Sequence, residues 1–554
     1  MRRSFSLIAL ALYAAMYSAH AQHTPPDAGQ SIRELQEQPP RVPSRPQQLE
    51  LTVPDAEEPA TAEDSGVRID VQGFRLSGNS AFSAAELLPL LQPYVGRELT
   101  LGELQQATQR ISAYYREHGY PLARAYLPAQ EIDAGNVRID VLEGRYGEIR
   151  LNNRTRVRDG VAATPLFALR PNDPVRAESL ERGLLLLDDL PGVKVAATLQ
   201  PGAETGATDL VIEATPAPMV NGNVSIDNHG NRFTGEYMLS TTFNIDNPLR
   251  IGDRLNVRLL GTNEDQYYYQ LGYQLPVGAM STQLGVNLSK MDYQLGKDFA
   301  PLDAHGTARI VSLFAVQPLV RSRNFSMYAR AQLDHKRLRD DIDLYDDNNR
   351  KRSNVMGLSL SGNGIDRFGG GGMTSFSIGA SHGNLEIQDP YSRWIDQMTA
   401  RTEGSFNKVE ASVARVQHLG RNWNLYARAQ GQWTNDNLDS SEKFSLGGAY
   451  GVRAYPQGEA SGDRGWLGTM ELRYLIGAQW QVSAFVDHGE VQLNADRWSR
   501  GHNQRKLSAG GIGVQWAAHG WQAGVSAAWK IGAEEPQSDK DRSPRLWALI
   551  AYSF

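Results

Sequence analysis

From Pro218 to Phe554, apolar and polar side chains alternate with a period of two. Leu255, Val257 and Leu259 interleave with Arg254, Asn256 and Arg258, and Phe325, Met327, Ala329, Ala331 and Leu333 interleave with Asn324, Ser326, Tyr328, Arg330 and Gln332. Trp423, Leu425, Ala427 and Ala429 repeat the pattern against Asn424, Tyr426, Arg428 and Gln430. This period belongs to strands with one apolar and one wet face, and each run has about the 10 residues of a tilted membrane-spanning strand. A soluble sandwich alternates too, so the connections decide. Short turns at Pro276-Val277-Gly278 and Gly420-Arg421-Asn422 alternate with long polar segments at 340–353, 384–403 and 436–462. That asymmetry predicts a membrane all-β fold, an antiparallel outer-membrane barrel of roughly 16 strands, closed and without edges.

The N-terminus reads as an export signal. Arg2 and Arg3 precede an apolar run at 7–16 and the small-x-small triplet Ala19-His20-Ala21, which predicts a mature chain starting at Gln22. Residues 22–66 are rich in Pro, Gln and Glu and cannot bury enough apolar surface to offset chain entropy. Within them, 27–38 forms a helical island ended by Pro39-Pro40, with Ile32 and Leu35 on one side. So short a helix is either a frayed solvated segment or a plug for something hollow.

From Val67 the character changes. Val67, Ile69 and Val71 alternate, and Ser83-x-x-Glu86 and Thr100-x-x-Glu103 are capping boxes that each open a helix. Strands at 123–127 and 137–142 complete a β-α-α-β-β unit whose helices cover one face of a three-stranded sheet, and a weaker copy occupies 145–216. The expected layout is a signal peptide at 1–21, a plug helix and linker at 22–66, two periplasmic α+β domains at 67–144 and 145–218, and the barrel at 219–554.

Several chemistries are excluded. With no cysteine among 554 residues there is no disulfide, thiolate metal site or thiol nucleophile. A net charge of −6 gives no basic footprint for nucleic acid. No phosphate-cradling G-x-x-x-x-G-K-[ST] loop is present, so the chain supplies no nucleotide motor. Gly379-Ala380-Ser381-His382-Gly383 fits the hydrolase G-x-S-x-G pattern but leaves an alternating strand rather than entering a strand-to-helix turn, and no enzyme activity is expected. Asp340, Asp341, Asp343, Asp346 and Asp347 lack the glycine and terminal glutamate of a calcium loop and read as a solvated extracellular loop. Neither cofactor nor metal is implied.

The longest glycine-marked loop follows the eleventh strand and carries Val452, Arg453, Ala454 and Tyr455. If it folds into the lumen, Arg453 needs a carboxylate partner. Asp487 supplies one, in the inward phase of a strand on which Val482, Ala484 and Val486 face lipid.

The first small domain resembles a polypeptide-transport-associated (POTRA) domain through Phe74-Arg75-Leu76-Ser77-Gly78-Asn79, Gly119-Tyr120 and the run from Gly135 to Gly144. The loop looks like the VRGY motif of the Omp85 superfamily, with Ala454 where glycine is usual, and Phe485-Val486-Asp487 looks like its F-x-D partner. The terminal Phe554 resembles the barrel-assembly signal of outer-membrane proteins of Gram-negative bacteria. Asp227-Asn228-His229-Gly230 and Thr234-Gly235 match at the barrel entry. Two POTRA units before 16 strands resemble the TpsB transporters of two-partner secretion, the haemolysin secretion/activation family. The resemblance implies an outer-membrane translocator whose POTRA domains recognise the N-terminal secretion domain of a large TpsA-like exoprotein. It also implies a mobile N-terminal helix that plugs the pore, contact with outer-membrane lipid, and insertion by the barrel-assembly machinery. An Omp85-type insertase is the alternative.

Overall fold

The computed structural model describes residues 25–36, 50–52, 68–345 and 347–554. The expected export signal and cleavage site, most of the linker, and Asp346 lie outside the described residues.

Sixteen antiparallel strands, from Val220–Asp227 to Arg545–Ser553, form a closed barrel in simple sequence order, interrupted only by a two-strand pair, Phe444–Ser445 with Ser461–Gly462, inside one loop. Closure is made by the first and last strands, in register from Asn223 opposite Ser553 to Asp227 opposite Leu549. Phe554 extends the seam through paired main-chain bonds with Gly222, 3.1 Å each way. Leu546, Ile550, Tyr552 and Phe554 stay exposed on the outer face, as the lipid-facing phase requires.

The expected long loop at 340–353 is mostly strand. Phe325–Ile342 and Asp347–Asp366 pair to their extracellular ends, leaving only a tight turn. Above the membrane both strand faces are polar, so the alternation that marks a strand disappears while the ladder continues. Likewise 384–403 contains the end of strand Gly372–Ile387 and a helix, Pro390–Met398, N-capped by Asp389. The turn assigned to Pro276-Val277-Gly278 falls later, because Pro276 and Val277 still pair, with Gln283 and Thr282.

The periplasmic strands are β1 (Glu50–Thr52), β2 (Arg68–Val71), β3 (Gly73–Ser77), β4 (Arg97–Thr100), β5 (Arg124–Tyr126), β6 (Asn136–Leu142), β7 (Arg145–Asn153), β8 (Val193–Pro201) and β9 (Ala207–Pro216). In the first unit the three-stranded sheet is β3-β6-β5. The strand read from Ile69 and Val71 pairs instead with β4, and the Phe74 segment enters the main sheet parallel to β6. Helix Leu101–Glu117 is capped by Thr100, whose hydroxyl accepts from the Glu103 amide at 3.3 Å while the Glu103 carboxylate accepts from the Thr100 amide at 2.8 Å. Its Leu104, Ala107, Ile111 and Tyr115 are buried against Phe74, Val137, Ile139 and Val141.

The second unit is a sheet in the order β1-β8-β9-β7 under helix Ala177–Asp188. Its β1 comes from the segment read as linker. It pairs parallel to β8, Leu51 opposite Ala197, with Leu51 packed on the domain core. A bidentate pair joins this unit to the barrel: Arg321 Nε and Nη2 each donate to Asp189 at 2.7 Å.

Candidate functional site: the lumenal loop and helix

Two segments fill the lumen. The first is helix Ala28–Gln36, which buries Ala28, Ile32 and Leu35 against inward-facing Leu260, Tyr268, Met291, Tyr293, Ile310 and Leu338. Its N-terminus sits among the extracellular strand ends. Asp27 caps it by accepting from the Gln30 amide at 2.8 Å, and the Ala28 amide donates to Asp340 at 2.7 Å. Asp340 therefore does not belong to a solvated acidic loop. It points inward, holds the Tyr293 hydroxyl at 2.6 Å, and terminates a helix it meets only through the fold. A carboxylate at a helix N-terminus is favourably placed against the macrodipole. Further down, Arg33 pairs with Glu410 at 2.8 Å and Arg258 donates to the Leu35 carbonyl at 3.3 Å.

The second segment is the loop between strands Trp423–Thr434 and Arg464–Ile476, which folds inward beside the helix. Arg453 binds Asp487 bidentately, Nε to Oδ2 at 2.8 Å and Nη2 to Oδ1 at 2.9 Å, and its own amide donates to Oδ2 at 3.2 Å. Asp487 is fully buried on strand Trp480–Gln492 and also accepts from Thr469 at 3.0 Å. The guanidinium carbon lies 3.2 Å from the centre of the Phe485 ring, and Glu471 stands 3.5 Å from Nη1. One cation is thus held by two carboxylates and a ring face, the arrangement that makes a buried guanidinium tolerable. Ala454 is buried and lies outside the positive-φ residues, so the backbone here does not require the glycine usual in the motif. Val452 and Tyr455 are buried with Leu446, Leu467 and Leu507, and the Tyr455 hydroxyl donates to the Glu534 carbonyl at 3.0 Å.

Sequence reasoning missed three supports. Trp547 donates from Nε1 to the Arg453 carbonyl at 2.7 Å, and its inward phase opposite Leu546 and Ala548 was the available signal. Glu459 accepts from Arg505 at 2.9 Å and from the amides of Gln537 and Ser538, tying the loop to the last extracellular connection. Loop and helix also touch: Ser440 donates to Asp27 at 2.7 Å, and a Cβ on Gly29 would lie 2.3 Å from Ser440 Oγ.

The POTRA motif residues are structural. Gly78 has φ +80° and a Cβ there would come within 2.3 Å of the Val141 carbonyl oxygen; Gly119 and Gly144 also have positive φ. Asn79 donates to the Phe82 carbonyl at 3.0 Å, and Tyr120 packs edge-on to Tyr115 and Phe82. Glu143 is the buried hub, accepting from Tyr115 at 2.9 Å and the Ala81 amide at 2.6 Å. Burial and this carboxylate push the Tyr115 hydroxyl well above its ordinary pKa. Ser381 lies mid-strand in Gly372–Ile387 with no nucleophile turn around it.

Residues 206–516, more than half of the chain, match the haemolysin secretion/activation protein ShlB/FhaC/HecB family, and 69–144 match the ShlB-type POTRA domain. The chain belongs to that family. It is 28% identical over 544 residues to the heme/hemopexin transporter protein HuxB of Haemophilus influenzae, covering 96% of this chain and 95% of that one. CdiB from Escherichia coli has a similar fold, with a TM-score of 0.71 at 20% identity over 95% of this chain and 96% of that one. BamA from Haemophilus ducreyi lacking POTRA domains 1–3 reaches 0.53 at 14% identity, over 88% and 100%. The barrel therefore sits in the outer membrane with its POTRA domains in the periplasm.

Proposed function

We propose that this protein is the outer-membrane transporter of a two-partner secretion pair, taking an unfolded exoprotein from its POTRA domains through the barrel, with helix Ala28–Gln36 as the removable plug. The observation that carries the reading is the helix itself. It lies in the lumen as a short segment held by polar contacts at its N-terminus, the Arg33–Glu410 pair and one apolar stripe, an attachment that supports a removable plug. Arg453 and Asp487 keep the neighbouring loop on the wall while the helix exchanges with the client.

The client is received as an extended strand. Edge pairing uses main-chain hydrogen bonds and demands little of sequence. The seating of β1 on β8 supports this, because it is an extended segment already accepted by that edge. Outward bias comes from client folding at the surface, since a folded stretch cannot slide back. Lipid around the barrel and the assembly machinery acting at Phe554 complete the partners in this reading.

The test is quantitative proteomics of culture medium and outer membrane from an in-frame deletion and its complemented parent. Loss of one large secreted protein is expected. Depletion of many barrel proteins with none singled out in the medium would replace this reading with the insertase.

A further inference from the structure

The outer wall carries a row of cations that carboxylates among the described residues neutralise only in part. Lys290, Arg309, Arg337 and Arg352 stand directly opposite one another on four consecutive strands, as the register pairs Lys290 with Arg309, Arg309 with Arg337, and Arg337 with Arg352. All four are in the outward phase: their neighbours Met291, Ile310, Leu338 and Ser353 are buried toward the lumen. One step higher Arg339 faces Arg350. Directly opposed side chains have Cβ atoms about 5 Å apart, and like charges there destabilise a sheet. Three such pairs in series need a compensating anion. On these rows Asp292 takes Lys290 at 2.7 Å, Asp341 takes Arg339 at 2.6 Å, and Glu386 stands 3.5 Å from Arg352. Among the described residues, no carboxylate forms an ion pair with Arg309, Arg337 or Arg350.

The depth of the row matters as much as its sign. The POTRA domains fix the periplasmic end of the barrel, so these positions, near the opposite strand ends, lie at the outer-leaflet boundary. Elsewhere exposed Trp433, Trp466 and Trp529 occupy the strand segments nearest that rim, the usual interfacial anchors. Immediately below the row, outward-facing Val257, Leu259, Leu271, Leu288 and Val311 line a depression of about 450 Å³, bounded above by Tyr269, Lys290 and Arg309. An apolar depression crowned by guanidinium and ammonium groups matches an amphiphile with an anionic phosphate headgroup and acyl chains. Guanidinium forks suit phosphate through paired hydrogen bonds.

We propose that this face is a binding site for a phosphorylated, multiply acylated glycolipid of the outer leaflet, with its phosphates on Lys290, Arg309, Arg337 and Arg352 and an acyl chain in the depression beneath. The site is independent of the lumenal loop, the helix and the POTRA domains.

The full chain purified in detergent is incubated with diphosphoryl lipid A, and bound lipid is counted by native mass spectrometry. The expected result is saturable binding, weakened at least 10-fold when diphosphoryl lipid A is replaced by phosphatidylglycerol, and weakened at least 10-fold in the variant R309Q/R337Q/R352Q. Heat-modifiable gel mobility checks that the variant barrel is closed. If the triple variant does not fold, R309Q and R337Q are measured singly, with a loss of about 3-fold expected for each. Equal binding of phosphatidylglycerol, or unchanged lipid A binding in folded variants, overturns the proposal.

Discussion

Replacing Arg453 with alanine removes the bidentate pair with Asp487, the contact with Glu471 and the cation over Phe485, and leaves Asp487 fully buried with Thr469 as its remaining side-chain donor. Breaking a buried pair from one side costs about 3–5 kcal/mol, most of it the stranded charge. If the loop detaches as a unit, its detached fraction rises by about two to more than three powers of ten, at about 1.4 kcal/mol per tenfold. The native chain has no cysteine, so Ser445→Cys, an almost isosteric change at a buried loop position, creates a single thiol that reacts only when the loop lifts. Maleimide labelling in outer-membrane vesicles then reads the detached population, provided reclosing is faster than labelling. Arg453→Ala is expected to raise the labelling rate at least a hundredfold with inserted barrel nearly unchanged. The double variant with Asp487→Ala should label more slowly than Arg453→Ala alone, because no orphan carboxylate remains. Equal labelling of wild type and Arg453→Ala, or parallel loss of inserted barrel, would refute a loop-anchoring role for the arginine.

Three further outcomes are expected. Ile32→Asp with Leu35→Asp places carboxylates against the Leu260, Tyr268 and Ile310 surface and should expel the helix, seen as increased single-channel conductance in planar bilayers at unchanged barrel abundance. Gly78→Ala meets both a positive φ and a Cβ 2.3 Å from the Val141 oxygen, so the first POTRA unit should lose more than about 1 kcal/mol, measured by urea unfolding of the full chain followed at a POTRA-specific probe. Deleting Phe554 removes the main-chain pair with Gly222 at the seam, and heat-modifiable barrel in the outer membrane should fall while the periplasmic precursor accumulates.

The barrel was legible because period two survives wherever one face meets lipid, as at Trp423, Leu425 and Ala427. It became illegible where both faces carry polar residues, which is why 340–353 read as a loop although Ile342 still pairs with Ala304 and Asp347. Strand phase made Asp487 a candidate partner of Arg453, since it is opposite in phase to exposed Val486, and the resemblance of the loop and of Phe485-Val486-Asp487 to paired motifs singled it out. The role of Asp340 was not legible, because its partner Ala28 is 312 residues away and the acidic run around it reads as solvated. Nor was β1: three residues in a proline-rich stretch carry no period, and their pairing exists only because β8 offers an edge.

The helix in the lumen and the POTRA domains are parts of one polypeptide. Under the proposed function, a helix that leaves the pore therefore stays in its vicinity, at an effective concentration of order millimolar for a short tether. Rebinding at an intrinsic dissociation constant of about 10 μM would then keep about 99% of idle pores shut. A grip this weak is one an arriving client can break, and reclosure after release requires neither a second protein nor an energy source.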